Sequence, residues 1–152
     1  MNATDQFHIG VVVDDFEGTL ALLTDLFGYE WCEEMGAEIP VMLPDGEQTL
    51  NLRFAYSMTA PRLEIIRPLP GTLWMPAAGS GIHHLGYWSD DVPADAAALE
   101  ARGFAREAAG EGPDGMPYWT YHRTATGPRI ELVSRAMQRV MEQYFTTGKV
   151  PY

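Results

Sequence analysis

Two histidines and two glutamates occupy matched places in two similar stretches of this 152-residue chain. The segment HIGVVVDD begins at His8 and HLGYWSDD begins at His84, so an aspartate follows each histidine seven positions later. Further along, the segments PRLEIIR and PRIELVS align Glu64 with Glu131. Imidazole nitrogens and carboxylate oxygens are common ligands of divalent cations, so these four side chains indicate a metal site.

The ligand types favour an open metal site over a structural one. Two imidazoles and two carboxylates leave positions for water or substrate, whereas a structural zinc site favours thiolates. Cys32 is the only cysteine and cannot supply a thiolate cluster. A glutamate inside LEII or IELV is also unusual, because a buried carboxylate requires a partner. We therefore predict one divalent cation (Zn, Co, Ni, Mn or Fe) bound by His8, Glu64, His84 and Glu131.

The other two histidines have no counterpart in the first half of the chain. His83 precedes His84 directly, and neighbouring residues of a strand point to opposite faces. We therefore expect His83 either behind the site or at the surface. His122 is expected to anchor a turn near the last hairpin.

The hydrophobic pattern predicts the order strand, helix and three strands in each half. The first helix runs between an Asp15 N-cap and Gly28, and the second between Asp91 and Gly103. An Asp45-Gly46 pair predicts a turn between strands. The predicted strands are residues 7–13, 29–35, 49–56 and 62–67 in the first half, and 82–89, 104–108, 117–123 and 129–134 in the second.

These elements predict a single α+β domain made of two tandem βαβββ modules. We place module one at about residues 5–68, a Pro/Gly-rich linker at 69–80, module two at about 81–135 and a helical tail at 136–152. Two modules related by a pseudo-twofold axis would bring equivalent side chains towards that axis. Such symmetry would bring the two histidine–glutamate pairs together.

Charge and composition exclude several classes of protein. The formal net charge is −11 and Lys149 is the only lysine, so the basic cluster needed to bind nucleic acid is missing. The same deficit disfavours anionic membranes, and no apolar run is long enough for a transmembrane helix. A single cysteine and an amino-terminal segment without signal-peptide features predict a reducing, cytoplasmic location.

The repeated segments resemble the vicinal oxygen chelate superfamily, over essentially the whole chain up to about residue 135. That superfamily includes glyoxalase I, methylmalonyl-CoA epimerase, extradiol dioxygenases and resistance proteins for bleomycin and fosfomycin. GIHHLGYWSDD and PRIELV look most like the epimerase and glyoxalase branches. The resemblance implies that the modules' sheets curl into a cup. It also implies that the metal ligands lie on the first and last strands of each module, which here carry His8, Glu64, His84 and Glu131.

The resemblance implies an isomerase, epimerase or lyase that acts next to a carbonyl through an enolate-like intermediate. A substrate with two neighbouring oxygens would chelate the metal, and Glu131 or Glu64 would move the proton. Two alternatives remain. A ring-cleaving dioxygenase normally uses two histidines and one glutamate, and four ligands count against it. A resistance-type protein would bind a drug or natural product without metal.

The residues that would contact substrate are less well defined. Trp88 shares the strand face of His84, and Arg62 and Arg129 share the face of the glutamates. Together with Tyr121, they are the predicted substrate-binding residues of a pocket for a small hydrophobic or aromatic compound. We also expect a homodimer, because exposed sheet edges and outer apolar faces need cover. Further aromatic residues on strands that could line the cup are Phe54, Tyr56, Tyr118 and Trp119.

Overall fold

The computed structural model describes residues 1–151. Both halves have the predicted order of one strand, one helix and three strands, which confirms the α+β class. The first half contains β1 (Gln6–Val12), α1 (Phe16–Phe27), β2 (Met35–Leu43), β3 (Gly46–Tyr56) and β4 (Arg62–Ile66). The second contains β5 (His84–Ser89), α2 (Val92–Glu100), β6 (Ala105–Glu111), β7 (Pro117–Arg123) and β8 (Ile130–Ser134), and α3 (Gln138–Thr147) follows.

The eight strands form one closed sheet in the order β1-β4-β3-β2-β6-β7-β8-β5. Within each half the last strand lies parallel to the first, β4 beside β1 and β8 beside β5. The halves join where β1 and β5 run antiparallel, and again where Met42 of β2 meets Ala109 of β6. The predicted cup is therefore closed within one chain. Because β2 and β6 are joined by this one residue pair, the closure covers only part of the strand edges that suggested a second copy.

The helix ends follow the predicted caps. The Asp15 carboxylate accepts a hydrogen bond from Gly18 N at 2.9 Å, and Asp91 accepts one from Ala94 N at 3.0 Å. Gly28 ends α1 in the left-handed conformation with φ 71°, which a residue with a Cβ adopts only at a cost. The second helix ends at Glu100, three residues before the predicted stop.

The strand predicted at residues 29–35 is wrong, because β2 begins at Met35 and runs to Leu43. β2 pairs with β3 along its whole length, and the hairpin turns at the predicted Asp45-Gly46 pair. Most of β2 is exposed and contains Pro40, so its sequence has little of the apolar pattern of a buried strand. Residues 29–34 form only an isolated bridge between Trp31 and Ser57, with a backbone hydrogen bond from Cys32 N to Tyr56 O at 2.9 Å. Glu34 at the end of this segment accepts hydrogen bonds from Arg53 Nε at 2.7 Å and Arg67 Nε at 2.8 Å.

The two faces of the closed sheet pack against different partners. On the outside, Phe16 of α1 contacts Ala55 and Ile65, while Val92 of α2 contacts Leu132. The helices therefore cover the outer face and leave the inner face free for a functional site. The apolar cluster on the inner face includes Val41, Leu52, Ile66, Trp74, Trp119 and Tyr121.

The carboxyl-terminal segment packs against the open end of the sheet. A short 3-10 turn, Arg135–Met137, leads into α3, which buries Tyr144 and Phe145 beside Tyr56 and Cys32. None of the helices within residues 1–151 is long and apolar enough to cross a membrane.

Candidate metal centre

The structure brings the four predicted ligands together. His8 lies on β1, Glu64 on β4, His84 on β5 and Glu131 on β8, and these four strands are consecutive in the closed sheet. One ligand atom from each residue lies within 4.8 Å of the other three, and all four residues are buried. The pairing of β1 with β5 places the two histidines next to each other at the junction of the halves.

The spacing of these ligand atoms suits a cation. His8 Nε2 lies 2.8 Å from His84 Nε2 and 3.0 Å from Glu131 Oε2, and His84 Nε2 lies 3.1 Å from Glu64 Oε2. A transition metal that binds each atom at about 2.1 Å keeps neighbouring ligand atoms about 3.0 to 3.4 Å apart. The oxygens Glu64 Oε2 and Glu131 Oε2 are buried and face the two imidazole nitrogens at 3.0 to 3.5 Å, but they form no hydrogen bond of normal geometry with the described residues. Because such oxygens are costly to leave unpaired, donor types and spacing both fit a divalent metal ion.

The electrostatics of the cluster also favour a cation. Burial alone would raise the pKa of the Glu64 and Glu131 carboxyls, but the facing imidazoles of His8 and His84 outweigh it and lower both pKa values. Burial likewise opposes charge on His8 and His84, yet Glu131 and Glu64 raise the pKa of both imidazoles, that of His8 to about 9, so a metal ion that binds here must displace protons from them. Both carboxylates are therefore ionised at neutral pH, and they concentrate negative charge where the imidazole nitrogens meet.

Two glycines make room for the two histidine rings. In the register of β1 against β5, His8 lies opposite Gly86 and His84 lies opposite Gly10. A Cβ built on Gly86 would lie 1.9 Å from His8 Cε1, and one built on Gly10 would lie 1.9 Å from His84 Cε1. Each histidine ring thus occupies the place of a side chain on the opposing strand. The His-x-Gly spacing in both copies is the sequence signal for this packing, and its reason is visible only in the paired strands.

We predict that Gly86→Ala removes metal binding, because its methyl group must displace the His8 imidazole. The backbone pairing fixes the distance between β1 and β5, so the methyl group can be accommodated only if the His8 ring leaves its position. Isothermal titration with Zn²⁺ checks this, with Gly112→Ala as the control, since a Cβ there meets no atom closer than 3.1 Å. Unchanged zinc affinity in Gly86→Ala would contradict the packing role assigned to Gly86.

An apolar cavity of about 400 Å³ opens onto the two glutamates. Glu64 and Glu131 contribute to its lining, and the carboxyl-terminal segment adds Met137, Met141 and Val150. Of the aromatic residues that the sequence suggested, all except Trp88 are part of the wall. The aromatic lining consists of Phe7, Phe54, Tyr56, Trp74, Tyr118, Trp119 and Tyr121.

Of the four predicted substrate-binding residues, one lines the cavity and three do not. Tyr121 lines the cavity. Trp88 lies outside the lining and stacks on Phe7 with ring centroids 3.7 Å apart, so it contacts the wall from behind.

Arg62 and Arg129 also lie outside the cavity lining. Each precedes a candidate ligand glutamate by two residues, so it lies further along the strand than the four ligand side chains. Arg129 binds Glu107 at 2.5 Å, and Arg62 lies over the Phe145 ring at 4.2 Å.

Tyr56 lies at the site, although its sequence pattern marks it only as one of several aromatic residues on strands. Its ring meets the His8 ring edge to face at 5.2 Å, as Tyr121 meets His84 at 5.0 Å. Burial and then the charges of the two glutamates raise the pKa of both tyrosines well above the usual value. The signal was available in the repeat, because both tyrosines lie on the third strand of their half and pair with the glutamate of the fourth.

The two remaining histidines are both buried. His83 lies directly behind the site, since His83 Nδ1 is 2.9 Å from His84 Nδ1 and His83 Nε2 is 2.8 Å from Leu73 O. His122 lies within β7, where its Nε2 is 2.9 Å from Thr120 Oγ1, and it takes no part in the ligand cluster.

Comparison with known families agrees with this fold. The sequence matches the profile of the Glyoxalase/Bleomycin resistance protein/Dioxygenase superfamily over residues 7–121, so the chain belongs to that family. A comparison with curated proteins finds no similar sequence.

Solved structures with the same fold include two methylmalonyl-CoA epimerases. One, from Streptomyces coelicolor in complex with 2-nitronate-propionyl-CoA, is 22% identical with a TM-score of 0.59, covering 87% of this chain and 97% of that chain. The other, from Mycobacterium tuberculosis, is 21% identical with a TM-score of 0.59, covering 88% and 92%. A hypothetical protein from Bacillus halodurans C-125 is 17% identical with a TM-score of 0.57, covering 86% and 93%.

Proposed function

We propose that this protein is a metal-dependent isomerase or epimerase, or a related lyase, that moves a proton at the carbon next to a carbonyl group. Its substrate is a small hydrophobic or aromatic compound with two neighbouring oxygens. One observation carries the proposal: the carboxylates of Glu64 and Glu131 belong to the buried ligand cluster and also line the apolar cavity. A group that is both a ligand and a wall residue lies where a proton can be taken from a bound substrate.

The four ligand side chains would hold one divalent ion of Zn, Co, Ni, Mn or Fe. When bound, such an ion withdraws electron density from a substrate carbonyl and stabilises an enolate. The residues of the chain supply the rest. Glu64 and Glu131 are ionised and can accept a proton, while Tyr56 and Tyr121 keep their hydroxyl protons and can donate hydrogen bonds. The aromatic wall excludes water, which strengthens these interactions.

The lining of the cavity supports a hydrophobic or aromatic substrate. None of the described residues that line it is lysine, arginine or histidine, and its only charged members are Glu64 and Glu131. The two epimerase structures come from enzymes named for a CoA ester, and CoA carries several phosphates. This chain has a net charge of −11, and its one lysine and nine arginines lie outside the cavity lining, so the cavity itself offers nothing to neutralise such phosphates. We therefore favour an uncharged aryl ketone or diketone over a CoA thioester.

A second candidate function is metal-free binding of a drug or natural product. The aromatic wall favours it, because flat apolar ligands stack well on Trp74 and Trp119. The buried unpaired oxygens of Glu64 and Glu131 count against it, since an apolar binding site gains nothing from them.

Proton exchange in D₂O tests the proposal. Zinc-loaded and metal-stripped protein would be incubated with benzoin and related aryl α-hydroxyketones, and deuterium at the α carbon would be followed by NMR. We expect exchange at least about 100-fold faster with the zinc-loaded protein, the range of positioned acid–base catalysis. Ketones that quench tryptophan fluorescence on binding, yet exchange no faster than in buffer, would favour the binding protein.

The homodimer and the cytoplasmic location stay predictions. A further reason for a partner is that α1 exposes the apolar side chains Leu22, Leu26 and Phe27. Light scattering at tens of micromolar protein would measure the mass directly.

A further inference from the structure

We propose that His83 is a positioning residue that sets the tautomer and direction of the ligand His84. The inference rests on the proposed metal site. It assigns a role to a residue outside the ligand set and to the segment that joins the two halves of the chain.

The hydrogen bonds behind His84 run in one direction only. A carbonyl oxygen can only accept, so the 2.8 Å contact between Leu73 O and His83 Nε2 requires the His83 proton on Nε2. His83 Nδ1 is then an acceptor. Its 2.9 Å contact with His84 Nδ1 requires the His84 proton on that nitrogen. The lone pair of His84 is left on Nε2, the atom that faces His8, Glu64 and Glu131.

The ring of His84 is also held by its neighbours. The rings of His83 and Tyr121 meet it edge to face, at centroid distances of 5.2 Å and 5.0 Å. On the opposing strand, Gly10 leaves the space that the ring fills. Together with the hydrogen bond that His84 Nδ1 donates to His83 Nδ1, these contacts leave the imidazole one orientation. A metal ligand oriented in advance loses less entropy when it binds the ion.

The first half of the chain has no such arrangement. Phe7 stands before His8 as His83 stands before His84, and a phenyl ring offers no hydrogen bond. His8 Nδ1 is accordingly buried without a partner among the residues described. The two histidines are related by the repeat but held differently, so the second half provides the better oriented ligand.

The anchor of this chain of hydrogen bonds lies between the two halves. Leu73 belongs to a turn closed by hydrogen bonds from Leu69 N to Trp74 O at 2.8 Å and from Thr72 Oγ1 to Leu69 O at 2.7 Å. The next residue, Trp74, lines the cavity and meets the Tyr121 ring at 5.6 Å. The segment predicted as a simple linker is thus a structural part of the metal site.

The test compares zinc and cobalt binding in wild type, His83→Phe and His83→Asn. His83→Phe copies the first half and leaves His84 Nδ1 without an acceptor, so we expect a 10- to 100-fold loss of Zn²⁺ affinity, the usual effect of losing such a partner. His83→Asn places an amide oxygen near the lost nitrogen and should recover part of the affinity. The Co²⁺ visible spectrum should change in His83→Phe, which a merely structural role would not cause. His122→Phe removes another buried histidine and is the matched control.

Wild-type affinity and an unchanged cobalt spectrum in His83→Phe would overturn the proposal. If that variant fails to fold, long-range ¹H–¹⁵N spectra of the wild-type histidines decide. The proton of His83 on Nε2 supports the assignment, and its proton on Nδ1 overturns it. These spectra need no added metal, so a wild-type protein that binds no zinc would refute the proposed function separately.

Discussion

His8→Ala is expected to abolish stoichiometric metal binding while the secondary structure persists. The substitution removes one of four ligand atoms and leaves Glu64 and Glu131 as two facing carboxylates with one imidazole. Loss of an outer partner alone costs 10- to 100-fold in metal affinity, so loss of a direct ligand should exceed about 100-fold. The fold should survive, because the apolar clusters on both faces of the sheet do not include His8. Zinc titration and circular dichroism measure the two effects separately.

His122→Ala is the matched control for this variant. His122 is as buried as His8 and also lies on a strand, but it is not part of the ligand cluster. A loss of metal in both variants would mean that metal binding is lost through general destabilisation by the removal of a buried histidine, and not through removal of a ligand. Metal bound at wild-type stoichiometry in His8→Ala would exclude His8 as a ligand.

Glu131→Gln is expected to keep the metal and lose proton exchange. The amide oxygen of glutamine can still coordinate an ion, but the amide cannot accept a proton. If Glu131 is the base, the rate of α-deuterium exchange should fall about 10²- to 10⁴-fold, the usual contribution of a positioned base. Glu64→Gln is the natural comparison, because Glu64 holds the equivalent position in the first half. Both variants would be measured at matched zinc occupancy.

Wild-type exchange in metal-loaded Glu131→Gln would show that Glu131 is not the base. A large loss in Glu64→Gln instead would assign the proton transfer to the first half. We favour Glu131, since the segment around it most resembles the epimerase branch.

The ligand cluster was predictable because the chain repeats itself. A single histidine on a strand carries little information, and a glutamate in an apolar segment only slightly more. At matched positions in two copies, the same residues imply convergence near a pseudo-twofold axis, and the structure places their ligand atoms within 4.8 Å. The helix caps Asp15 and Asp91 were predictable for a different reason, since a cap depends only on nearby residues.

Features that depend on strand pairing were not predictable. The closure of the sheet through β2 and β6 has no local pattern, and β2 itself is mostly exposed and carries a proline. Alternation along a strand correctly put Arg62 on the face of Glu64. It could not reveal that Arg62, two residues away from Glu64, contacts the Phe145 ring and not the ligand side chains. The contact between His83 and Leu73 likewise exists only once the two halves are packed.

The metal content of the wild-type protein tests the central claim most directly. Elemental analysis would be made on protein purified without added metal, and again after incubation with Zn²⁺, Co²⁺, Ni²⁺, Mn²⁺ or Fe²⁺ and removal of loosely bound ions. We predict one divalent ion per chain, lost in His8→Ala and retained in His122→Ala. A wild-type protein that holds no stoichiometric ion after every incubation would contradict the assignment of His8, Glu64, His84 and Glu131 as a metal site.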